Sequence, residues 1–597
     1  MAYNKYDRDV RVKVYEIVQG CQGDNSSFCN ARCPMHTDAT RYIELIGENK
    51  LTEAIQVIRE KLFLPGTLGR ICAHPCETEC RRNTEYGQPL SIAALKRYAA
   101  DKADKEEHWD LSKKAASGKR VAIVGAGPAG AQAAIDLSRE GHDVTIFEKL
   151  NVVGGMMRVG IPEYRLPRNI IDFEYKYLEK LGIIIKLGVE IGKDISFEDL
   201  VKSFDAVILA NGAHESFVPM VKGRDARGIT NAVEFLRGVS LGEPGATVSG
   251  KVLVIGGGDV AMDCARTSVR LGAASVTVAS LECEVEMPAS GHEQEGAREE
   301  GVTINCGWGV EEIFSEKGRV KSVLLKQCLS VFDSKGRFRP QYGDITMKVD
   351  CDTLIFATGQ VVVDASDGML DQGGGGRYVV DKQTLATKMD KVFVAGDCAG
   401  ATIVVEAMAL GRKAAISVNR FLAGMDLSER RDFESEYDFI SELDIPLPKD
   451  ITDLPRKHTK LLLASERIKS FVECDLGFDD ETAAEESSRC LKCECKECMK
   501  ECIMLNDFTL YPGALFRKFL KDGDMEPIIA YSCNMCDQCT LVCPKEFKFA
   551  ELFGAMRKDM VKANNGQSPM PGHKAINMHQ KLGFSKLFTV KIRGGGK

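Results

Sequence analysis

A short apolar strand that runs straight into a glycine turn and then a helix occurs twice in this chain, and the second copy sits inside the first. Few folds permit that. In the first copy, Val121 to Glu148, the glycines Gly125, Gly127 and Gly130 follow four apolar residues and open a helix. Glycine there lets the backbone approach a pyrophosphate held at the helix N-terminus. Glu148 ends the next strand, where a carboxylate accepts from a ribose hydroxyl. The second copy, Val252 to Val278, carries Gly256, Gly258 and Ala261 in the same setting. The strand pattern resumes at TLIFATG (Thr353 to Gly359) and VFVAGD (Val392 to Asp397), so both segments are expected to rejoin the first sheet. Alternation of strand and helix predicts an α/β fold with parallel sheets covered by helices.

At 597 residues the chain exceeds a single hydrophobic core and should divide into several domains. The segment from 1 to about 117 reads as helical, with Ile55, Ile58 and Leu62 in a run closed by Pro65 and Gly66. One dinucleotide domain is expected over 118–245 and 355–425, with the second inserted over 246–354. A charged, proline-containing stretch over 426–486 suits a surface linker, and a cysteine domain with a basic tail fills 487–597. The N-terminus is charged from the start and no stretch reaches membrane-span length, which predicts a cytoplasmic protein. In that compartment 22 cysteines are poorly explained by disulfides and well explained as metal or cluster ligands.

Six of the cysteines lie between Cys21 and Cys80, nine between Cys490 and Cys543, and seven are scattered as expected small buried residues (Cys264, Cys283, Cys306, Cys328, Cys351, Cys398, Cys474). A net charge of −7 gives no reason to expect nucleic acid. From Pro544 to Lys597 eleven Lys/Arg face three Asp/Glu, which reads either as a solvated helical extension or as a docking surface for an acidic partner.

After the second strand of the inserted unit come Ala279, Ser280, Leu281 and Glu282, with no cation before Arg298. A 2′-phosphate needs a cation there, whereas an acid accepts from a free 2′-hydroxyl and repels phosphate. NADH is therefore expected over NADPH.

GGMMRVGIPEYRLP (Gly154 to Pro167), AMDCARTSVRLGA after the second glycine turn and MPA at Met287 resemble the small subunit of glutamate synthase, the N-terminal half of dihydropyrimidine dehydrogenase and the large subunit of NADH-dependent ferredoxin:NADP oxidoreductase. The resemblance spans roughly residues 20 to 425. It implies a two-dinucleotide flavoprotein with a helical N-terminal iron-sulfur domain and with its NAD domain inserted in its FAD domain. FAD is thereby assigned to Gly125, Ala126, Gly127, Pro128, Ala129, Gly130, Glu148, Lys149, Gly155, Met156, Arg158, Val189, Ala210, Gly212, Asp397 and Val404. NAD falls to Gly256, Gly258, Asp259, Ala261, Glu282 and Gly359. Asp397 would bond the ribityl chain or pyrophosphate, and the helix starting near Thr402 would face the flavin with its N-terminal dipole. Where that family carries an arginine pair for NADPH, this chain has Leu281 and Glu282. Hydride transfer to a flavin needs no side-chain acid or base, so no catalytic residue is assigned.

In the resembling family the first cysteine stretch is C-x2-C-x4-C-x3-C-P and two [4Fe-4S] clusters share the ligands. Here Cys33, Cys72, Cys76 and Cys80 supply one full set. Asp24 stands at a thiolate position and Lys96 at the family's carboxylate or amide ligand, so one N-terminal cluster is expected, with Cys21 and Cys29 outside it. At the other end Cys533, Cys536, Cys539 and Cys543-Pro544 form the bacterial ferredoxin run, whose fourth cysteine serves the neighbouring cluster. Cys495, Cys498 and Cys502 repeat its second half, with Cys490 or Cys493 as the missing ligand. Two [4Fe-4S] clusters are expected, with zinc the competing occupant of any four-cysteine set. The C-terminal segment resembles the C subunit of heterodisulfide reductases.

These features together predict an NAD(H)-dependent FAD and iron-sulfur oxidoreductase subunit of a hetero-oligomer, with an electron-bifurcating complex as one candidate setting, whose partner is a ferredoxin, a hydrogenase or a heterodisulfide-reductase-like subunit. Two alternatives stand beside it. One is a glutamate synthase small subunit feeding an amidotransferase, against which the extra cysteine domain counts. The other is a non-enzymatic cluster-bearing assembly scaffold, against which two intact glycine turns count.

Overall fold

The computed structural model describes residues 5–21, 23, 27–429, 454–493 and 495–585. It separates into two compact units, one of Cys29–Tyr437 with Thr452–Cys490, the other of Met1–Phe28 with Leu491–Lys597. The boundary differs from the expected 1–117 domain. The described residues before Cys29 belong with the C-terminal cysteines, because the helix Arg8–Gly20 shares its apolar face with them.

The larger unit holds two five-stranded parallel sheets. The first orders its strands Val392–Val394, Ala206–Leu209, Arg120–Val124, Asp143–Glu148, Ile184–Leu187. Its middle strands are β-branched and apolar and almost wholly buried, as strands covered on both faces must be. The second orders Ile229–Asn231, Thr353–Phe356, Lys251–Ile255, Ser275–Ser280, Thr303–Cys306. TLIFATG therefore does not return to the first sheet. Thr353 to Phe356 pair in register with Val252 to Ile255, and only Val392–Val394 closes the first sheet beside Ala206–Leu209. A three-stranded antiparallel sheet, Trp308–Glu316, Arg319–Phe332 and Phe338–Asp350, extends the inserted domain; its strand period was not singled out in the sequence.

Helices Ala39–Gly47, Leu51–Arg59, Pro65–Ile71 and Ile92–Ala103 form the helical part of this unit. Ile55, Ile58 and Leu62 are buried, but Pro65 opens a helix instead of closing one. Proline suits the first helical position, where its missing N–H would be unpaired anyway. Residues 430–453, part of the expected linker, lie outside the described residues. From 454 onward the chain is packed rather than loose. Arg489, wholly buried, donates to Glu486 at 2.7 Å and to the carbonyls of Leu454 and Gln88 at 2.9 and 3.0 Å.

The smaller unit is helical. Asp7 caps the helix Arg8–Gly20, which buries Val10, Val14 and Ile17 among Leu515, Phe516, Phe519 and Phe553. Each such aliphatic side chain contributes about 1.5–3 kcal/mol. Tyr6 Oη donates to Asp524 at 2.7 Å, and the Asp7 backbone N–H donates to Asp559 at 2.8 Å. Of the basic tail, residues 586–597 lie outside the described residues.

Candidate functional site

A cavity of about 660 Å³ opens at the carboxyl ends of the first sheet. That is where ligands bind in open α/β folds. Of the residues assigned to FAD, Gly125, Gly127, Pro128, Ala129, Glu148, Lys149, Gly155, Met156, Val189, Ala210, Gly212, Asp397 and Val404 line it. The glycines are required by close approach. A Cβ at Gly125, where φ is +106°, would stand 2.4 Å from the Ala210 carbonyl oxygen, and one at Gly130 would stand 2.1 Å from that of Gly125. Glu148 holds the turn as well as facing the cavity. One oxygen accepts from Ala126 N–H and the other from Leu150 N–H, both at 2.8 Å, and burial raises its carboxyl.

Ala126, Gly130 and Arg158 do not reach the cavity. Arg158 is occupied elsewhere, donating to the Val153 carbonyl at 2.7 Å and pairing with Asp172, so it shapes the GGMMR turn. The helix expected near Thr402 begins at Val404, and Thr402 N–H and Oγ1 both donate to Glu406. Its first residues border the cavity. Asp397, raised by burial, accepts from Ala213 N–H. Beside it His214 is pushed down to about 4 by burial, and its Nδ1 has no partner among the described residues. A neutral imidazole with an unmet ring nitrogen, glycine walls and a helix N-terminus fit a polar planar group with an attached diphosphate. His214 escaped sequence reasoning, although it follows the AVILANG strand directly.

Two of the three motifs behind the family resemblance meet in one buried ion network. Arg165, of PEYRLP, donates to Asp263 at 2.7 Å and to Glu293 at 2.8 Å. Arg266 pairs with Glu293 and with Glu300 at 2.8 Å, and Arg270 meets Glu300 at 2.5 Å with its guanidinium over the Tyr164 ring. Sequence spacing identified the motifs but not this pairing.

In the inserted domain Asp259 borders the cavity, whereas Gly256, Gly258, Ala261, Glu282 and Gly359 do not. Glu282 folds back over the glycine turn, its Oε2 accepting from Ser280 Oγ at 2.6 Å and lying 2.6 Å from where a Gly257 Cβ would be. Arg298 is held by Glu284 at 2.6 Å.

The thiols gather in sets that differ from the expected ones. In the larger unit Cys29, Cys33, Cys72 and Cys76 line one small cavity with Lys96. Cys80 does not; it stands at the N-cap position of the helix Arg81–Tyr86, without a side-chain capping bond, whereas Cys29 lines the cavity. Burial raises Cys72 and Cys76, and the nearby Lys96 ammonium pulls both down. Cys72 also borders the large cavity. In the smaller unit Cys495, Cys498 and Cys543 share a cavity with Cys21, while Cys502 and Cys536 bear electrostatically on Cys533 and Cys539. Cys490 ends the larger unit, following Arg489, whose carbonyl accepts from Arg82 at 2.5 Å. Cys493 does not border the Cys21 cavity. Among the scattered cysteines Cys283 is exposed and Cys306, at the end of the strand Thr303–Cys306, is half-buried against the inserted domain's core. Among the described residues no three His, Cys, Asp or Glu side chains are grouped tightly enough to hold a single metal ion, and no helix is long and apolar enough to cross a membrane.

Two parallel sheets, one inserted in the other and each opening on a glycine turn, define a two-dinucleotide pyridine nucleotide oxidoreductase. A model for pyridine nucleotide-disulphide oxidoreductases matches residues 119–415, and one for dihydropyrimidine dehydrogenase domain II, 4Fe-4S cluster, matches 9–108 and 467–559. The chain belongs to this family of flavoproteins with 4Fe-4S domains. The beta subunit of NADP(+)-dependent formate dehydrogenase from Moorella thermoacetica is 37% identical over 499 residues, covering 78% of this chain and 70% of its own. The glutamate synthase [NADPH] small chain of Escherichia coli (strain K12) is 33% identical over 428 residues (67% and 90%). The PreT subunit of NAD-dependent dihydropyrimidine dehydrogenase from the same strain is 34% identical over 404 residues (66% and 91%).

Proposed function

We propose that this chain is the NADH-oxidising subunit of a larger electron-transfer complex, taking hydride at the inserted domain and passing electrons through its thiol-held clusters to a ferredoxin, hydrogenase or heterodisulfide-reductase-like partner. The observation that carries the reading is Cys72, which borders both the dinucleotide cavity and the four-thiol cavity. A bound flavin would supply the conversion between two-electron and one-electron transfer. The chain's part is placement. The Gly125–Gly130 turn and the helix Val404–Leu422 would seat the diphosphate and the ring, and Asp397 and His214 would offer polar partners to it. Cys29, Cys33, Cys72 and Cys76 would hold a cubane whose negative charge Lys96 offsets.

The preference for NADH rests on Glu282 over the glycine turn and on Arg298 being tied to Glu284. The relatives' names include both nucleotides, so this acid decides between them in the present reading. Steady-state kinetics with an artificial acceptor test it: kcat/KM for NADH should exceed that for NADPH, and Glu282→Arg should narrow the ratio by tenfold or more. A wild-type enzyme tenfold better with NADPH refutes the nucleotide assignment.

A further inference from the structure

Resting on the reading of the C-terminal cysteines as cluster ligands, we propose that Cys21, next to the N-terminal helix, is the fourth protein ligand of a C-terminal [4Fe-4S] cluster, completing a set with Cys495, Cys498 and Cys543. The sequence poses the problem. The run Cys495, Cys498, Cys502 lacks the first cysteine of a ferredoxin motif, and Lys492 stands at that position. Cys490 and Cys493 are the neighbours in sequence, but neither borders the cavity that Cys495 and Cys498 share with Cys543. Cys21 does, more than 470 residues away along the chain.

The local structure is built to hold it there. Cys21 ends the helix Arg8–Gly20, its N–H donating to Ile17, and that helix is fixed by its buried Val10, Val14 and Ile17. Two glycines make room. A Cβ on Gly20 would lie 2.9 Å from the Phe547 ring, which also lines the cavity, and one on Gly513 would lie 3.2 Å from Cys21 Cβ and 3.4 Å from its Sγ. Cys502 and Cys536 bear electrostatically on Cys533 and Cys539, so eight of the ten cysteines fall into two sets of four, with Cys490 and Cys493 outside both. Cys543 joins the set opposite its own run, as the fourth cysteine of that motif does. On ligation each thiol gives its proton to solvent and its sulfur bonds one iron, with no change of oxidation state.

The full-length chain, produced and reconstituted with iron and sulfide without oxygen, tests this by iron content and by EPR of the reduced protein. Cys21→Ala should lose about four irons per chain, one cubane. It should also lose the same EPR component as Cys495→Ala, with the double variant losing no more than either. Cys490→Ala should keep that component. As a check independent of folding, wild-type Cys21 should resist alkylation when loaded and react after iron is chelated away. Cys21→Ala with wild-type iron and spectrum, or Cys21 alkylated equally fast in loaded and stripped protein, overturns the assignment while leaving the proposed function standing. A wild-type chain that takes up zinc and no iron overturns both.

Discussion

Glu174 is the most telling side chain to perturb, because it joins the dinucleotide fold to the thiol cavity. It is 1% exposed, and its oxygens accept from Gly66 N–H at 2.6 Å and from Thr67 N–H and Oγ1 at 3.2 and 2.5 Å. It thus caps the helix Pro65–Ile71, whose other end delivers Cys72. Burial, only partly offset by the Thr67 hydroxyl and by Arg59, pushes its carboxyl up from 4.5 to about 7, and Asp104 adds to the rise. A carboxyl whose folded value is raised binds its proton more tightly in the folded state. Its contribution to stability is therefore complete below 4.5 and is lost as pH climbs through 7. At 1.36 kcal/mol per pK unit the full effect is about 3 kcal/mol, of which about 2.5 falls between pH 5 and pH 8. Glu174→Gln keeps an acceptor for the cap but removes the titration. Urea unfolding followed by Trp109 fluorescence, in a Trp308→Phe background, reads the right element, because Trp109 Nε1 donates to Asp104 at 3.0 Å. The stability gap between variant and wild type should move in the variant's favour by about 2 to 3 kcal/mol from pH 5 to pH 8. Parallel pH profiles for the two proteins refute the reasoning.

Arg266→Met leaves Glu293 and Glu300 buried with one guanidinium fewer, and it should cost about 3–5 kcal/mol, read as a lowered urea midpoint; a change below half a kcal/mol contradicts the network described. Gly125→Ala forces a Cβ to within 2.4 Å of the Ala210 carbonyl at a φ of +106°. That strain, about 1–3 kcal/mol, should weaken flavin retention roughly 5- to 150-fold, measured as flavin released per chain on denaturation; undiminished flavin content refutes the assignment of this turn.

What was legible in the sequence was whatever backbone geometry alone demands. Gly125 and Gly130 announce a dinucleotide turn because no Cβ fits beside Ala210 and within the turn itself, and that constraint is local. The insertion of one unit in the other was legible for the same reason, although Thr353–Phe356 pairs with the inserted sheet, since strand order depends on partners that a four-residue apolar run does not name. Side-chain partners were less legible. Arg158 looked like a cofactor residue and is spent on Val153 and Asp172. The stretch over 426–486 reads as a linker because it is charged, yet its last residue, Glu486, is buried in a pair with Arg489. Composition misleads wherever charges satisfy one another inside.

The cysteines show the same limit most clearly. Cys72, Cys76 and Cys80 follow one another at equal spacing, so counting does not separate them, yet Cys72 and Cys76 line a cavity with Cys33 and Cys80 does not. A ligand set is a three-dimensional object whose members need only share a cavity. A reading that searches for the missing thiol among sequence neighbours will find Cys490 and Cys493 and pass over Cys21. What brings Cys21 to the cavity is the apolar face of Val10, Val14 and Ile17, a signal of helix packing that says nothing about metal.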